Sequence, residues 1–221
     1  MGKYDIIAFD LDGTLSDPAQ GLLDGFVYAF RKLGVEYGER ESLRRFIGPP
    51  LADEWRKEFG FTEDEAETAV ELFREYYNVY GWWDNILYDG IKELLSALKK
   101  AGKTVVLSTS KPQDTATDIL KFHGIIGYFD FISGHDYVAR LREKKCEVLE
   151  YALVNLGVEK DSSKRAVCVL VGDRKFDAEG ASICGIDSIG VAWGHGTLDE
   201  LNAAGFTHVV STVEELKSIL V

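Results

Sequence analysis

Residues Ile6–Leu15 read I-I-A-F-D-L-D-G-T-L, and the interpretation of the chain turns on them. Four apolar residues, Ile6 to Phe9, run without interruption into Asp10, with Asp12, Gly13 and Thr14 close behind. A continuous apolar run is the pattern of a strand buried on both faces. The two acids would then sit at the strand's carboxyl edge, where open α/β sheets bind ligands. Gly13 would allow the sharp turn that such an exit needs. Carboxylates at the end of a buried strand are costly unless a cation or a substrate uses them. A strand followed by an ordinary Asp-Gly turn has the same local pattern. The rest of the chain has to decide between the two.

Downstream, residues 16–85 read as helix after helix with no strand. Asp17 is a candidate N-cap and Pro18 a first helical residue, after which Leu22, Leu23, Phe26, Val27, Phe30 and Leu33 share one face up to Gly34. A short helix over Glu41–Phe46 and another over Leu51–Phe59 follow, separated by Gly48-Pro49-Pro50. Thr62 and Glu65 form a capping box for a fourth helix, whose aromatic stripe reads as helix–helix packing rather than a cofactor box.

From residue 86 strands and helices alternate. The expected strands are Lys103–Leu107, Tyr128–Ile132, Ala166–Val171, Ser188–Ala192 and His208–Val210. Between them lie helices such as Lys144–Leu156 and two opened by Thr197/Glu200 and Thr212/Glu215. Alternation of this kind implies a parallel sheet covered on both faces. The expected fold is therefore α/β, a doubly wound parallel sheet built from 1–15 and 86–221, with an inserted all-helical domain at 16–85.

In a parallel sheet all carboxyl ends share one edge, so three further strand ends join Asp10 and Asp12. Lys103–Leu107 leads into Ser108-Thr109-Ser110-Lys111-Pro112, where Thr109 could cradle a phosphate or simply cap the next helix. Ala166–Val171 stops at G-D-R-K-F-D, supplying Asp173 and Asp177, which could instead only complement a helix dipole. Four carboxylates on one edge cannot all ionise without cations. Magnesium favours such oxygen ligands while keeping waters and substrate phosphate. A lysine at the start of the helix with buried face Val148, Leu149, Ala152, Leu153 and Leu156 is the second source of charge. Lys145 extends that inward face and Lys144 is angled off it; a solvated first-turn lysine is the plainer alternative.

The bulk properties narrow the partners. The chain of 221 residues is 46% hydrophobic and 28% charged, an ordinary globular profile, and its net charge of -12 argues against nucleic acid. Cys146, Cys168 and Cys184 make no CxxC pair, and Cys168 sits in an apolar run. The N-terminus lacks a signal-peptide core and no apolar stretch could span a membrane, so a cytoplasmic protein is expected. The four histidines form no ligand cluster, and Gly194–Gly196 lacks the spacing of a dinucleotide fingerprint.

Four motifs, D-L-D-G-T at Asp10–Thr14, the strand ending at Thr109 before S-K-P, K-C-E-V-L at Lys145, and V-G-D-R-K-F-D at Val171–Asp177, arrive in order. In this the chain resembles the haloacid-dehalogenase (HAD) superfamily, in its phosphoglycolate-phosphatase-like branch with a helical cap inserted after the first motif. The resemblance covers the whole chain. It departs from the branch at the Lys144-Lys145 pair and at R-L-R-E before it, where a glycine-rich lead-in and K-P-x-P are common.

The resemblance implies a magnesium-dependent phosphatase acting on a small phosphate monoester, phosphoglycolate-like or a nucleoside or sugar monophosphate. Asp10 would be the nucleophile and Asp12 the general acid and base. Asp10, the backbone carbonyl of Asp12 and Asp173 would hold the metal. Thr109 and Lys145 would bind the phosphoryl oxygens, and Asp177 would orient Lys145 or a metal-bound water. Within the cap, the Arg44–Pro50 segment would reach the substrate, with Arg45 and Gly48 as candidates; the arginines could equally be surface charge. A phosphomutase of the same branch shares every motif. A phospho-responsive switch like response-regulator receivers fits less well, because those place the reactive Asp on a middle strand and have no cap. The acid at position 12 separates the chain from family dehalogenases, which need no leaving-group proton.

Overall fold

The computed structural model describes residues 2–48 and 50–221, so Pro49 of the Arg44–Pro50 segment lies outside the described residues. In chain order the elements are β1 (Ile6–Phe9), β2 (Ser16–Asp17), α1 (Ala19–Leu33), α2 (Leu51–Phe59), α3 (Glu63–Tyr76), β3 (Ile86–Leu87), α4 (Ile91–Lys100), β4 (Thr104–Pro112) and α5 (Gln113–Phe122). Then come β5 (Phe131–His135), α6 (Lys145–Asn155), β6 (Cys168–Gly172), α7 (Lys175–Ile183), β7 (Asp187–Val191), α8 (Leu198–Ala203), β8 (His208–Val210) and α9 (Val213–Leu220). The chain divides into two compact units, Met1–Ser16 with Leu87–Val221, and Asp17–Ile86.

The first unit carries a six-stranded sheet of order β5-β4-β1-β6-β7-β8, in which the strand pairs are parallel. The apolar run Ile6–Phe9 is central for a physical reason. Ile7, Ala8 and Phe9 are buried, and only a strand flanked on both sides and covered on both faces can hide such a run. One face is covered by α6 and α7, where Ala8, Val106 and Leu170 pack with Leu149, Leu153 and Ala181. Helices α4, α5 and α9 pack against other strand surfaces. From β1 the chain moves outward through β4 and β5, then crosses to β6, β7 and β8 on the other side. The reversal flanks β1, which is where doubly wound sheets place their ligands.

The second unit is helical apart from the ends of β2 and β3, which pair as a two-stranded sheet. Its core is aromatic. Trp55 is fully buried and meets Phe26, Phe30, Phe46 and Phe73 edge-on, the arrangement ring quadrupoles prefer. Thr62 and Glu65 cap α3 reciprocally, as their spacing predicts.

Several boundaries differ from the sequence reading. Residues 40–46 form a 3-10 helix rather than an α-helix, and Tyr77–Gly81 is a π turn. Ser16–Asp17 is a short strand inside the block expected to be wholly helical. The strand expected at Tyr128–Ile132 begins at Phe131, because Ile126–Tyr128 winds into a 3-10 turn. β4 does not stop at Leu107 but runs through the hydroxyl residues to Pro112. Thr109 is therefore a strand residue, and α5 has no side-chain cap. Thr197 caps α8 through the Glu200 N–H, but the Glu200 carboxylate is taken by Arg174 and by the Lys175 N–H instead of closing a box.

Candidate active site

Three neighbouring strands deliver the site. Phe9 is level with Leu107 on one side and Val171 on the other, so Asp10, Thr109 and Asp173 leave the sheet at one edge. The Asp10 N–H donates to the Val171 carbonyl at 2.9 Å, which holds the first acid in line with β6. The chain then turns back, with the N–H groups of Thr14, Leu15 and Ser16 all reaching the Leu11 carbonyl. Gly13 sits in this turn at φ 80, and a Cβ there would lie 2.1 Å from Asp173 Oδ2. Only glycine meets both demands.

Asp173 is fully buried. The His195 N–H donates to its Oδ2 at 2.7 Å, and the Thr14 hydroxyl lies 3.4 Å from its Oδ1. Asp177 sits in the first turn of α7, where its Oδ2 accepts the Arg174 N–H at 3.0 Å. Its other oxygen faces Lys145 Nζ at 2.8 Å, and the same ammonium lies 2.7 Å from Asp10 Oδ1. Lys145 reaches inward because it is the first residue of α6, on the side that buries Val148, Leu149 and Ala152. Lys144 is exposed, and its N–H donates to Glu147. The Asp10 side chain keeps 15% of its surface open, while Asp173 and Asp177 are closed off. Of the acids in this group, Asp10 is thus the one an incoming molecule can meet.

The electrostatics show what the cluster lacks. Burial raises the Asp173 pKa well above the usual carboxylate range, and Asp177 and Asp10 push it further against the His195 N–H and Arg174. Burial also raises Asp177, to about 6, although Lys145 pulls it back. Burial would lower Lys145, but Asp10 and then Asp177 outweigh it and hold the ammonium above its ordinary value. Oxygens of Asp10, Asp173 and Asp177 lie within 4.8 Å of one another, a set that could hold a metal ion. Four carboxyl groups, Asp10, Asp12, Asp173 and Asp177, face two ammonium groups, Lys145 and Lys111, so full ionisation would leave two negative charges uncompensated. A hard divalent cation with oxygen ligands fits that deficit and that donor set.

Two elements here were missed by the sequence reading. Lys111 is buried and forms an ion pair with Asp12, Nζ to Oδ2 at 2.6 Å. Its signal was the two-residue spacing from Thr109, legible only once β4 is known to continue. The other is Trp193–Gly196, in the loop after β7. The Trp193 indole N–H donates to the Thr14 carbonyl at 3.1 Å, and His195 holds Asp173. The Gly-x-Gly pattern at the end of a strand on this edge was the available clue.

Thr109 is buried, and its hydroxyl accepts the Lys111 N–H at 3.3 Å. The two cap candidates lie in the helical unit. Arg45 pairs with Glu58 at 2.6 Å and lies over the Phe46 ring, and Gly48 is exposed. Among the described residues no helix is long and apolar enough to cross a membrane.

Comparison with known proteins agrees with this geometry. Residues 7–191 match the family described as haloacid dehalogenase-like hydrolase. A 5'-nucleotidase of Pseudomonas aeruginosa is 36% identical over 99% of this chain and 96% of its own length. The tyrosine-protein kinase PtkA of Mycobacterium tuberculosis is also 36% identical, over 97% of this chain and 72% of its own. A crystal structure of a predicted phosphatase from Clostridium acetobutylicum superposes with a TM-score of 0.89 at 36% identity, covering 97% of each chain. Relatives named phosphoglycolate phosphatase match over nearly the whole chain as well. With its motifs gathered at one sheet edge and its relatives of this kind, the chain belongs to the haloacid dehalogenase-like hydrolase family, in its phosphoglycolate-phosphatase-like branch.

Proposed function

We propose that the protein is a magnesium-dependent phosphatase that hydrolyses a small phosphate monoester through an aspartyl-phosphate on Asp10. The observation that carries this reading is a partly open Asp10 carboxylate facing the buried Lys145 ammonium at 2.7 Å, with Asp173 and Asp177 beside it. An Asp10 oxygen forms a bond to phosphorus as the ester oxygen leaves, which splits one hard displacement into two. Asp12 gives the departing alkoxide a proton and later takes one from the water that attacks the phosphoryl group. Lys145 and Thr109 bind the phosphoryl oxygens, and Asp177 keeps Lys145 aimed. Asp10, Asp173 and the backbone carbonyl of Asp12 would hold magnesium, which supplies positive charge against the anionic phosphoryl group. The oxygens of the acidic trio lie close enough for such a role, and the raised pKa values of Asp173 and Asp177 mark a cluster short of a cation.

The helical unit is the proposed cap, selecting the alcohol part of the substrate. For Arg45 to take part it must leave Glu58, and an exposed pair of this kind is worth no more than about 1 kcal/mol. The net charge of -12 supports a small phosphorylated metabolite over a nucleic acid. Three free cysteines support a reducing, cytoplasmic setting.

The test is a phosphate-release panel with phosphoglycolate, sugar phosphates and nucleoside monophosphates, run with magnesium and with chelator. Release from at least one ester, abolished by chelator, is expected. An isomerised sugar phosphate without net release would make the enzyme a mutase. No turnover of any ester would refute the reading.

A further inference from the structure

Lys145 serves Asp10 and Asp177, and one acid of the site has a different partner. Asp12 Oδ2 accepts from Lys111 Nζ at 2.6 Å, with the two side chains 20% and 6% exposed. Its other oxygen, Oδ1, is buried and has no hydrogen-bond partner among the described residues. A buried carboxylate oxygen without a partner is unfavourable in a resting protein, and such atoms call for an explanation.

The backbone builds this pair. β4 is irregular between Ser108 and Pro112, because Ser108 pairs with Ser133 while Pro112 pairs with His135. β4 thus advances four residues where β5 advances two. Irregularities of this type re-aim side chains and occur beside active sites. Here Thr109 and Lys111 are buried while Ser110 between them is exposed.

We propose that Lys111 is a positioning residue for Asp12, resting on the phosphatase reading above. An ammonium has only donors, so the Asp12 oxygen against it is held as an acceptor. The transferable proton is therefore carried by Oδ1. In the first step the bond between phosphorus and the ester oxygen breaks, the bond from Asp10 forms, and the Oδ1 proton goes to the leaving alkoxide. In the second step water forms the new bond to phosphorus, the bond to Asp10 breaks, and the water proton goes to Oδ1. Lys111 fixes which oxygen does this in both steps, and in the first it contributes nothing to a leaving group that needs no proton.

The experiment compares two esters in wild type, Lys111→Met, Lys111→Gln and Asp12→Asn, all with magnesium. One is the alkyl phosphate that the wild type turns over fastest. The other is 4-nitrophenyl phosphate, whose leaving phenolate is stable unprotonated. Misplacing the general acid should slow release of the alcohol from the alkyl ester in the first turnover by about thirtyfold or more, given that such catalysis supplies roughly 10²–10⁴. In the Lys111 variants the rate of 4-nitrophenolate release in the first turnover should stay within about threefold, because that step needs no leaving-group proton and precedes the water attack that Asp12 also serves. Lys111→Met combined with Asp12→Asn should be no slower on the alkyl ester than Asp12→Asn alone. Equal first-turnover losses on both esters, an unchanged alkyl rate, or additive losses in the double variant would overturn the assignment. So would failure of both Lys111 variants to fold, which would make the lysine structural. A wild type that releases phosphate from neither ester would instead refute the phosphatase reading itself.

Discussion

Lys145 Nζ lies 2.7 Å from Asp10 Oδ1, joining the first residue of α6 to the acid that ends β1. Burial works against the ammonium, yet Asp10 and Asp177 more than compensate, and its pKa stays above the ordinary lysine value. It is therefore charged wherever the enzyme would work. Lys145→Met keeps much of the stem packing and removes that charge. A lost electrostatic contact to the transition state costs about 3 kcal/mol, so phosphate release should fall on the order of a hundredfold. Lys144→Met, at an exposed position, should change the rate less than about twofold. A crippled Lys144 variant beside an active Lys145 variant would reverse the assignment.

The acids predict how stability depends on metal and pH. Asp177 is raised to about 6 and Asp173 well above the carboxylate range, so the metal-free native state binds protons that the unfolded chain has released. Stability from these groups is complete below the unfolded carboxylate pKa and is lost as pH rises through the native values. Magnesium takes the place of those protons. The gain in Tm from magnesium over chelator should therefore be larger at about pH 7.5 than at about pH 5.5. Groups remote from the cluster, such as His123, whose pKa burial lowers, titrate in both arms and cancel. Equal gains at the two pH values would place the ion elsewhere.

Gly194 predicts a second stability effect. A Cβ there would come 2.3 Å from the Gly13 carbonyl and 2.4 Å from Asp173 Cβ, backbone and buried side chain that cannot easily yield. Gly194→Ala should cost about 2 kcal/mol by overpacking, a Tm drop of roughly 4–8 °C for a chain of this size. Because the intruding methyl displaces Asp173, the magnesium-dependent gain in Tm should shrink too. Melting in magnesium and in chelator reads both; an unchanged magnesium gain would separate the loop from the acid.

The sheet and the helical insert were legible in the sequence because each rests on a local pattern. A continuous apolar run marks β1 and β6, and 3.6-residue spacing marks α1 and α3. The gathering of Asp10, Asp173 and Asp177 followed from one topological rule, that parallel strands share a carboxyl edge. Lys111 was hidden because the run S-T-S-K-P looks like a loop, and its place in β4 comes from pairing with β5. The role of the Trp193–Gly196 loop was hidden for another reason. His195 acts on Asp173 through its backbone N–H, and a main-chain donor leaves no residue signature.

The central claim is that phosphorus is bonded to Asp10 during turnover, and acid quenching tests it most directly. Enzyme mixed with magnesium and the ester it hydrolyses fastest should be quenched within a single turnover, digested and mapped by mass spectrometry. The account predicts a phosphorylated peptide with the modification on Asp10, and none in Asp10→Asn, with phosphate release below about one-hundredth of wild type. A phosphorylated residue other than Asp10, or an Asp10→Asn variant that still turns over at more than that fraction, would contradict it.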